Sequence, residues 1–228
     1  MIYVISDLHG CYHEYLKALE IIHFCNQDTL YVLGDIIDRG EGGLQILNHM
    51  MMFHNIIPLI GNHEVMAMTL LRKLCTEITE ETLETTLTED DLMSLSYWSE
   101  DGGNITLQQF QKLDRFDQEM ILDYLDEFRL VEEVQVHGKD YVLMHAGLSE
   151  TAQTKSIHDL RIEDVVFQST SYTYPNKTII CGHTPTSSSM IDFKPNLIRI
   201  DCGCIFGGQL GVLCLDTLET LYVPKESH

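Results

Sequence analysis

Short apolar runs rich in β-branched residues alternate with helical periodicity through the first third of the chain. Ile2–Ser6, Thr29–Leu33 and Ile56–Ile60 are short and almost uniformly apolar, and they read as buried strands. Between them, Tyr12–Phe24 and Leu44–Phe53 place apolar residues at the three- and four-residue intervals of one helical face. The order strand–helix–strand–helix–strand predicts parallel pairing with helices packed outside the sheet. A span of 28 positions carries Asp7 to Asp35, and 27 more lead to Asn62, about one βαβ unit each time. Polar residues therefore recur just beyond the C-terminal ends of successive strands, the edge at which open α/β sheets hold ligands.

The pattern changes over residues of about 65–128, which are helical in periodicity and strongly acidic. Nine Asp or Glu fall between Glu77 and Asp101, and no Lys or Arg stands between Lys73 and Lys112. Thr88-Glu-Asp-Asp91 has the form of a helix start. Such a run is ordinarily a solvated helical face, and a helical cap over the strand-end cleft is the functional alternative. Beyond Leu130 strands return. Val131–Val136 and Tyr141–Met144 flank His137-Gly-Lys-Asp140 as a hairpin, followed by Thr178–Cys181, Leu197–Ile200, Gly211–Leu215 and Thr220–Val223. This half predicts a largely antiparallel or mixed sheet. Residues 1–228 read as a single α/β domain.

Charge narrows the range of partners. The 228 residues hold 14 Lys and Arg against 35 Asp and Glu, a formal net charge of −21. So acidic a surface repels polyanions, which excludes non-specific nucleic-acid binding and docking on anionic membranes. No apolar run approaches the roughly 20 residues of a membrane span. The start MIYVISDLHG lacks the basic residues and cleavage site of a signal peptide, which predicts a cytoplasmic protein; a monomer is the expected state. The seven cysteines are odd in number and scattered, and they read as reduced thiols; Cys202-Gly-Cys204 does not have structural-zinc spacing.

Five segments carry chemistry, each where a predicted strand gives way to a loop: Asp7-Leu8-His9-Gly10, Gly34-Asp35-Ile36-Ile37-Asp38-Arg39-Gly40, Gly61-Asn62-His63-Glu64, His145-Ala146-Gly147 and Gly182-His183-Thr184-Pro185. Asp7, His9, Asp35, Asn62, His145 and His183 supply the carboxylate, imidazole and amide ligands that divalent first-row metals prefer. A shared carboxylate lets two cations sit roughly 3.5–4 Å apart, where they activate a water and align a phosphoryl group for in-line attack by a metal-bound hydroxide. Arg39 can fork onto phosphate oxygens. His63 follows the ligand Asn62 and suits a general acid, with Asp38 to orient it.

The series DLHG, GDIIDRG, GNHE, HAG and GHTP resembles the calcineurin-like metallophosphoesterases, in particular the phosphoprotein phosphatase branch of compact bacterial and phage serine/threonine phosphatases and the related symmetrical diadenosine tetraphosphatases. Trp98-Ser-Glu-Asp-Gly-Gly103 and Ile200-Asp-Cys-Gly-Cys-Ile-Phe-Gly-Gly208 extend the likeness to about Val223. The resemblance implies two mixed β-sheets packed together and flanked by helices. It assigns Asp7, His9 and Asp35 to a first metal and Asp35, Asn62, His145 and His183 to a second. Arg39 then contacts phosphate, and His63 with Asp38 forms the acid dyad. Mn²⁺ leads among the metals implied, with Fe or Zn²⁺ also suited to these ligands.

Three positions depart from the family pattern. Ile60 stands where many members have Arg. A second phosphate-binding Arg between the His145 and His183 motifs has no clear match, with Phe167-Gln-Ser169 in its place and Arg161 nearby. Thr184-Pro185, rather than a second His, follows His183, which argues against the nuclease-like and cyclic-phosphodiesterase branches. The leading expectation is a phosphatase acting on phosphoserine or phosphothreonine in proteins, since a whole-chain charge of −21 leans toward a peptide over a polyphosphate. The alternative is a symmetrical bis(5′-nucleosyl)-tetraphosphate hydrolase, which splits an anhydride with the same core. A non-catalytic metal-binding scaffold is disfavoured, because no ligand and no member of the acid dyad is lost.

Overall fold

The computed structural model describes residues 1–75, 88–168 and 172–226. Among the described residues, ten strands form two five-stranded sheets. In the first, β1 (Ile2–Ile5), β2 (Thr29–Val32) and β3 (Ile56–Pro58) run parallel, joined through α1 (Tyr12–Ile21) and α2 (Gly43–Met50) as the periodicity predicts. The second contains β4 (Val131–Val136), β5 (Lys139–Met144), β6 (Thr178–Cys181), β7 (Asp192–Lys194) and β8 (Leu197–Arg199), in the order β4-β5-β6-β8-β7. Its centre, β5-β6-β8, is parallel and its two outer pairs are antiparallel.

Two details differ from expectation. The second half of the chain does not make one sheet. Its last hairpin, β9 (Gln209–Cys214) and β10 (Thr220–Pro224), crosses to the first sheet, where β9 pairs antiparallel with β1 through Tyr3–Cys214 and Val4–Leu213. The turn between β4 and β5 is also tighter than predicted. His137 and Gly138 both take positive φ (47° and 76°), the conformation of a two-residue hairpin turn, so Lys139 and Asp140 already belong to β5.

The two-residue alternation of each strand divides the core. Val4, Tyr31, Leu143, Ile180, Ile198 and Leu213, from both sheets, form one buried cluster between the sheets. Their neighbours Ile5, Val32, Val142, Ile179 and Val212 belong to a second cluster with Tyr15, Ala18, Ile46 and Leu47 of the helices.

The acidic middle proves to be a chain of helices: α3 (Asn62–Cys75), α4 (Glu89–Trp98), α5 (Asn104–Phe110) and α6 (Arg115–Asp126). Thr88 caps α4 as expected. Its Oγ1 accepts from the Asp91 amide at 3.2 Å, and the Asp91 carboxylate accepts from the Thr88 amide at 2.8 Å. Glu77, Glu80, Glu81 and Glu84 lie outside the described residues. Between α4 and α5 the backbone makes a wide helical turn over Ser99–Gly103, broken at Gly102, whose φ of 101° is open to glycine alone without strain. That turn reaches the strand-end cleft, so this part of the acidic region caps the site. No helix of the described residues is long and apolar enough to cross a membrane.

Candidate active site and metal centre

The five segments converge at the C-terminal ends of five parallel strands, three from the first sheet and two from the second. Asp7 and His9 follow β1; Asp35, Asp38 and Arg39 follow β2; Asn62 and His63 open α3 after β3; His145 follows β5 and His183 follows β6. Six of these residues adopt left-handed backbone: Asp7 (φ 51°), His9 (39°), Asp35 (51°), Asp38 (70°), Arg39 (65°) and His183 (67°). Asp and His tolerate this region better than branched residues, yet each non-glycine residue held there costs on the order of 1 kcal/mol or more. The chain is bent sharply so that side chains, not backbone, fill the cleft. Two close approaches require glycine. A Cβ on Gly182 would strike the Asp7 carboxylate, and one on Gly61 would strike Asp35.

Two compact donor groups share Asp35: His9 with Asp35 and His63, and Asp35 with His145 and His183. The His9 Nδ1 lies 3.0 Å from the Ile37 carbonyl and the His145 Nδ1 lies 2.6 Å from that of Leu33. A carbonyl only accepts, so in both rings Nδ1 carries the proton and Nε2 presents a lone pair to the cleft. The two Nε2 atoms face the Asp35 carboxylate, each 3.4 Å from one of its oxygens. Asn62 Oδ1 and His183 Nδ1 close on His145 Nε2 at 3.0 and 3.2 Å. The Asn62 oxygen and the His145 lone pair meet acceptor to acceptor, an arrangement that a cation stabilises. Beside His9 that positive charge comes from Arg39, whose Nη1 lies 2.7 Å from Nε2. The donor set therefore fits two divalent ions bridged by Asp35.

Burial produces the same imbalance of charge. It pushes the Asp7 and Asp35 carboxyls well above their usual range, helped by Asp201 beside Asp7 and by Glu64 beside Asp35. It pushes His9 well down and His145 down to about 3, with neighbouring imidazoles adding to both effects, and it lowers His183 as well. Neutral imidazoles and costly carboxylates are the protonation pattern of a site short of cations. Asp7 differs from the other candidates: both its oxygens accept from the His183 amide, at 2.9 and 3.0 Å, and it stands outside both compact groups.

His63 is fully buried, with Nδ1 2.6 Å from Asp38 Oδ2, the predicted dyad. Its Nε2 has no hydrogen-bond partner and lies 3.9 Å from Asp35 Oδ2 and 3.4 Å from Asp101 Oδ2. Asp38 is held by two contacts that the motifs did not assign. The Trp98 indole donates to Oδ2 at 2.6 Å and the Thr106 hydroxyl donates to Oδ1 at 2.6 Å. Arg39 is engaged by Asp101, Nη2 to Oδ1 at 2.7 Å, and its guanidinium carbon lies 5.2 Å from the centroid of the Phe206 ring. Arg161 caps the exposed start of α7 (Ile162–Val165), where its amide donates to Asp164 at 3.0 Å. Phe167 is about half exposed, and Ser169 lies outside the described residues.

Sequence reasoning gave no role to Glu64, Trp98, Asp101, Thr106, Asp201 or Phe206. Glu64, fully buried, accepts from the amides of Asp35 (2.8 Å), Ile36 (2.8 Å), Ile37 (3.3 Å) and Gly61 (2.9 Å), and so fixes the loops after β2 and β3 against each other. Asp201, pushed up to about 6 by burial, accepts from the Gly203 amide at 2.8 Å and shapes the turn that carries Phe206. Within the quoted motifs, the Glu of GNHE and the Trp of Trp98–Gly103 were the available signals.

Comparison with known proteins identifies the family and the fold. A symmetrical bis(5′-nucleosyl)-tetraphosphatase of Methylobacillus flagellatus is 26% identical over 97% of this chain and 94% of its own length. An asymmetrical bis(5′-nucleosyl)-tetraphosphatase of Anoxybacillus flavithermus is 25% identical over 99% and 95%. Among solved structures, a candidate diadenosine tetraphosphatase superposes with a TM-score of 0.70 over 100% of this chain and 94% of that one, at 16% identity, which shows a shared fold. The profile of the calcineurin-like phosphoesterases matches residues 1–210. The fold of two mixed sheets flanked by helices, the strand-end cleft and this match together make the chain a metal-dependent phosphoric ester hydrolase of the calcineurin-like phosphoesterase family.

Proposed function

We propose that the protein hydrolyses dinucleoside polyphosphates, with the symmetrical tetraphosphate as its preferred substrate, rather than phosphoserine or phosphothreonine side chains. The observation that carries this is the end-to-end match, 97% of this chain and 94% of the other, to a protein named for that activity, with Asp35 and four histidines of the cleft gathered into two donor groups. The charge argument for a peptide was a sum over the whole chain. The cleft itself has a local cation, Arg39, and a donor set that takes two more.

In this reading Asp7, His9 and Asp35 hold one divalent ion and Asp35, Asn62, His145 and His183 the other, with Mn²⁺ the metal of choice and Fe or Zn²⁺ accepted. When bound, the ions supply Lewis acidity and lower the pKa of water. The chain's own residues do the rest. Arg39, its fork already fixed by Asp101, binds the phosphoryl oxygens and holds the phosphorus in line. His63, as the imidazolium, hands the proton on Nε2 to the departing oxygen as the P–O bond breaks, while the Asp38 carboxylate accepts from Nδ1–H and holds the ring in place. Trp98 and Thr106 keep Asp38 from turning away. The acidic exterior leaves nucleic acid and membranes outside the partners of this monomeric enzyme.

Metal-stripped protein reloaded with Mn²⁺ tests the substrate, with diadenosine tetraphosphate and a phosphoserine peptide compared by kcat/KM. Faster cleavage of the dinucleotide, with ADP as the nucleotide product, is the expected result. ATP plus AMP would reassign the enzyme to asymmetrical cleavage. A higher kcat/KM on the peptide would overturn the proposal.

A further inference from the structure

Phe206 is one of the most exposed aromatic side chains of the described residues, at 65%, and it stands beside the phosphate anchor rather than on a remote face. It rides a short 3₁₀ turn, Cys204–Phe206, set between two left-handed glycines, Gly203 (φ 70°) and Gly207 (φ 87°). The turn is rigid. The Phe206 amide donates to the Gly203 carbonyl at 3.0 Å, the Gly208 amide donates to the same carbonyl at 2.9 Å, and Cys204 is buried beneath. A Cβ on Gly208 would strike the Cys202 carbonyl, so the loop closes tightly behind the ring.

Arg39 lies over the ring with its guanidinium carbon 5.2 Å from the centroid, while the same guanidinium donates to His9 at 2.7 Å. One side chain thus links the phosphate-binding centre to an exposed π surface. An exposed phenylalanine alone needs no explanation. One stacked on a phosphate-binding guanidinium, on a turn with little freedom to lose, is placed to receive a planar ring attached to a phosphate.

We infer that Phe206, with Arg39 stacked on it, is the stacking platform for a nucleobase of the substrate and a determinant of specificity for nucleotides. The inference rests on the dinucleotide reading above and deepens it: the reacting phosphates lie at the Asp35 centre and a base of the same molecule lies against the exposed part of the ring. Stacking of this kind is tolerant of base identity, because every base has a π face, so diguanosine and diadenosine tetraphosphates are cleaved alike.

Phe206→Leu keeps apolar bulk under Arg39 and removes the π face. The ratio of kcat/KM on diadenosine tetraphosphate to kcat/KM on inorganic tripolyphosphate, which has no base, falls about 5- to 150-fold in this variant, the span of one lost base–aromatic stack. Phe206→Trp restores the ratio. An unchanged ratio, or failure of Trp to rescue it, overturns the platform. Wild-type protein that does not cleave the dinucleotide refutes the proposed function by itself. The platform is then judged on phosphoserine-peptide turnover, with AMP and inorganic phosphate as competitors. AMP inhibiting more tightly than phosphate, with the difference erased in Phe206→Leu, supports it, and equal inhibition overturns it.

Discussion

Replacing Glu64 by Gln separates the loop-fixing role of this carboxylate from any role in chemistry. Its two oxygens accept from four backbone amides, one pair being Asp35 and Gly61 and the other Ile36 and Ile37. A glutamine oxygen can keep the first pair. Its NH₂ then faces the Ile36 and Ile37 amides, donor against donor, at a fully buried position. At roughly 1–3 kcal/mol for each buried donor left unsatisfied, two such losses come to about 2–6 kcal/mol. Two considerations lower that range. The Ile37 bond is long, at 3.3 Å, and burial already pushes the Glu64 carboxyl upward, so removing the charge recovers part of the loss. We therefore expect a destabilisation of about 2–3 kcal/mol, a sizeable share of the stability of an ordinary domain. Urea unfolding of metal-free wild type and Glu64→Gln, with unchanged m-values, measures it. Mn²⁺ affinity falls in the same variant, because Asp35 and Gly61 lose their common anchor. A difference below about 0.5 kcal/mol, the usual size of a surface substitution, would refute the reasoning.

Three further outcomes follow from the geometry. His63→Asn lowers kcat by about 10²–10⁴, more on a phosphoserine peptide than on an anhydride, whose leaving group needs less help from an acid; metal analysis should still find two ions per chain, and loss of metal would refute the role given to this residue. Trp98→Phe removes the donor 2.6 Å from Asp38 Oδ2 and lowers kcat on both substrates with KM little changed, whereas a pure rise in KM would show that the indole serves substrate binding. Asp91 is held down to about 2 by Lys73 and by the Thr88 cap. The unfolded carboxyl titrates near 3.9, so its contribution to stability is full above that pH and disappears as pH falls through about 2. The Tm difference between wild type and Asp91→Asn is thus constant above about pH 5 and shrinks toward pH 2; a pH-independent difference would refute the ionic origin.

The parts of the molecule legible in the sequence are those written in local pattern. β1, β2, β3, α1 and α2 follow from periodicity to within a few residues, and the dyad His63–Asp38 forms as its motifs imply. The rest depends on distant contacts. Trp98 and Thr106 meet Asp38 from 60 and 68 positions away, and no local pattern says which buried acid an indole will find. β7 went unread because Asp192-Phe-Lys194 is a short, polar edge strand with no apolar alternation. The run that became β9 was legible as a strand, yet nothing in Gln209–Cys214 names the sheet it joins. The left-handed backbone of six of the nine proposed site residues was equally illegible, because no local pattern in these loops announces it.

The pairing of β9 with β1 also sets the order in which the molecule can be assembled. β1 can acquire β2 early, as the first βαβ unit emerges, but its other edge waits for a strand 211 positions downstream of Tyr3. Until then the nascent protein carries an open parallel sheet whose exposed edge can pair with any passing strand. The 211 positions between Tyr3 and Cys214 must be made before the Asp7 and His9 loop is braced on both sides. The contact that closes the sheet is thus long in sequence, and the entropy of closing so long a loop weighs on the folding rate.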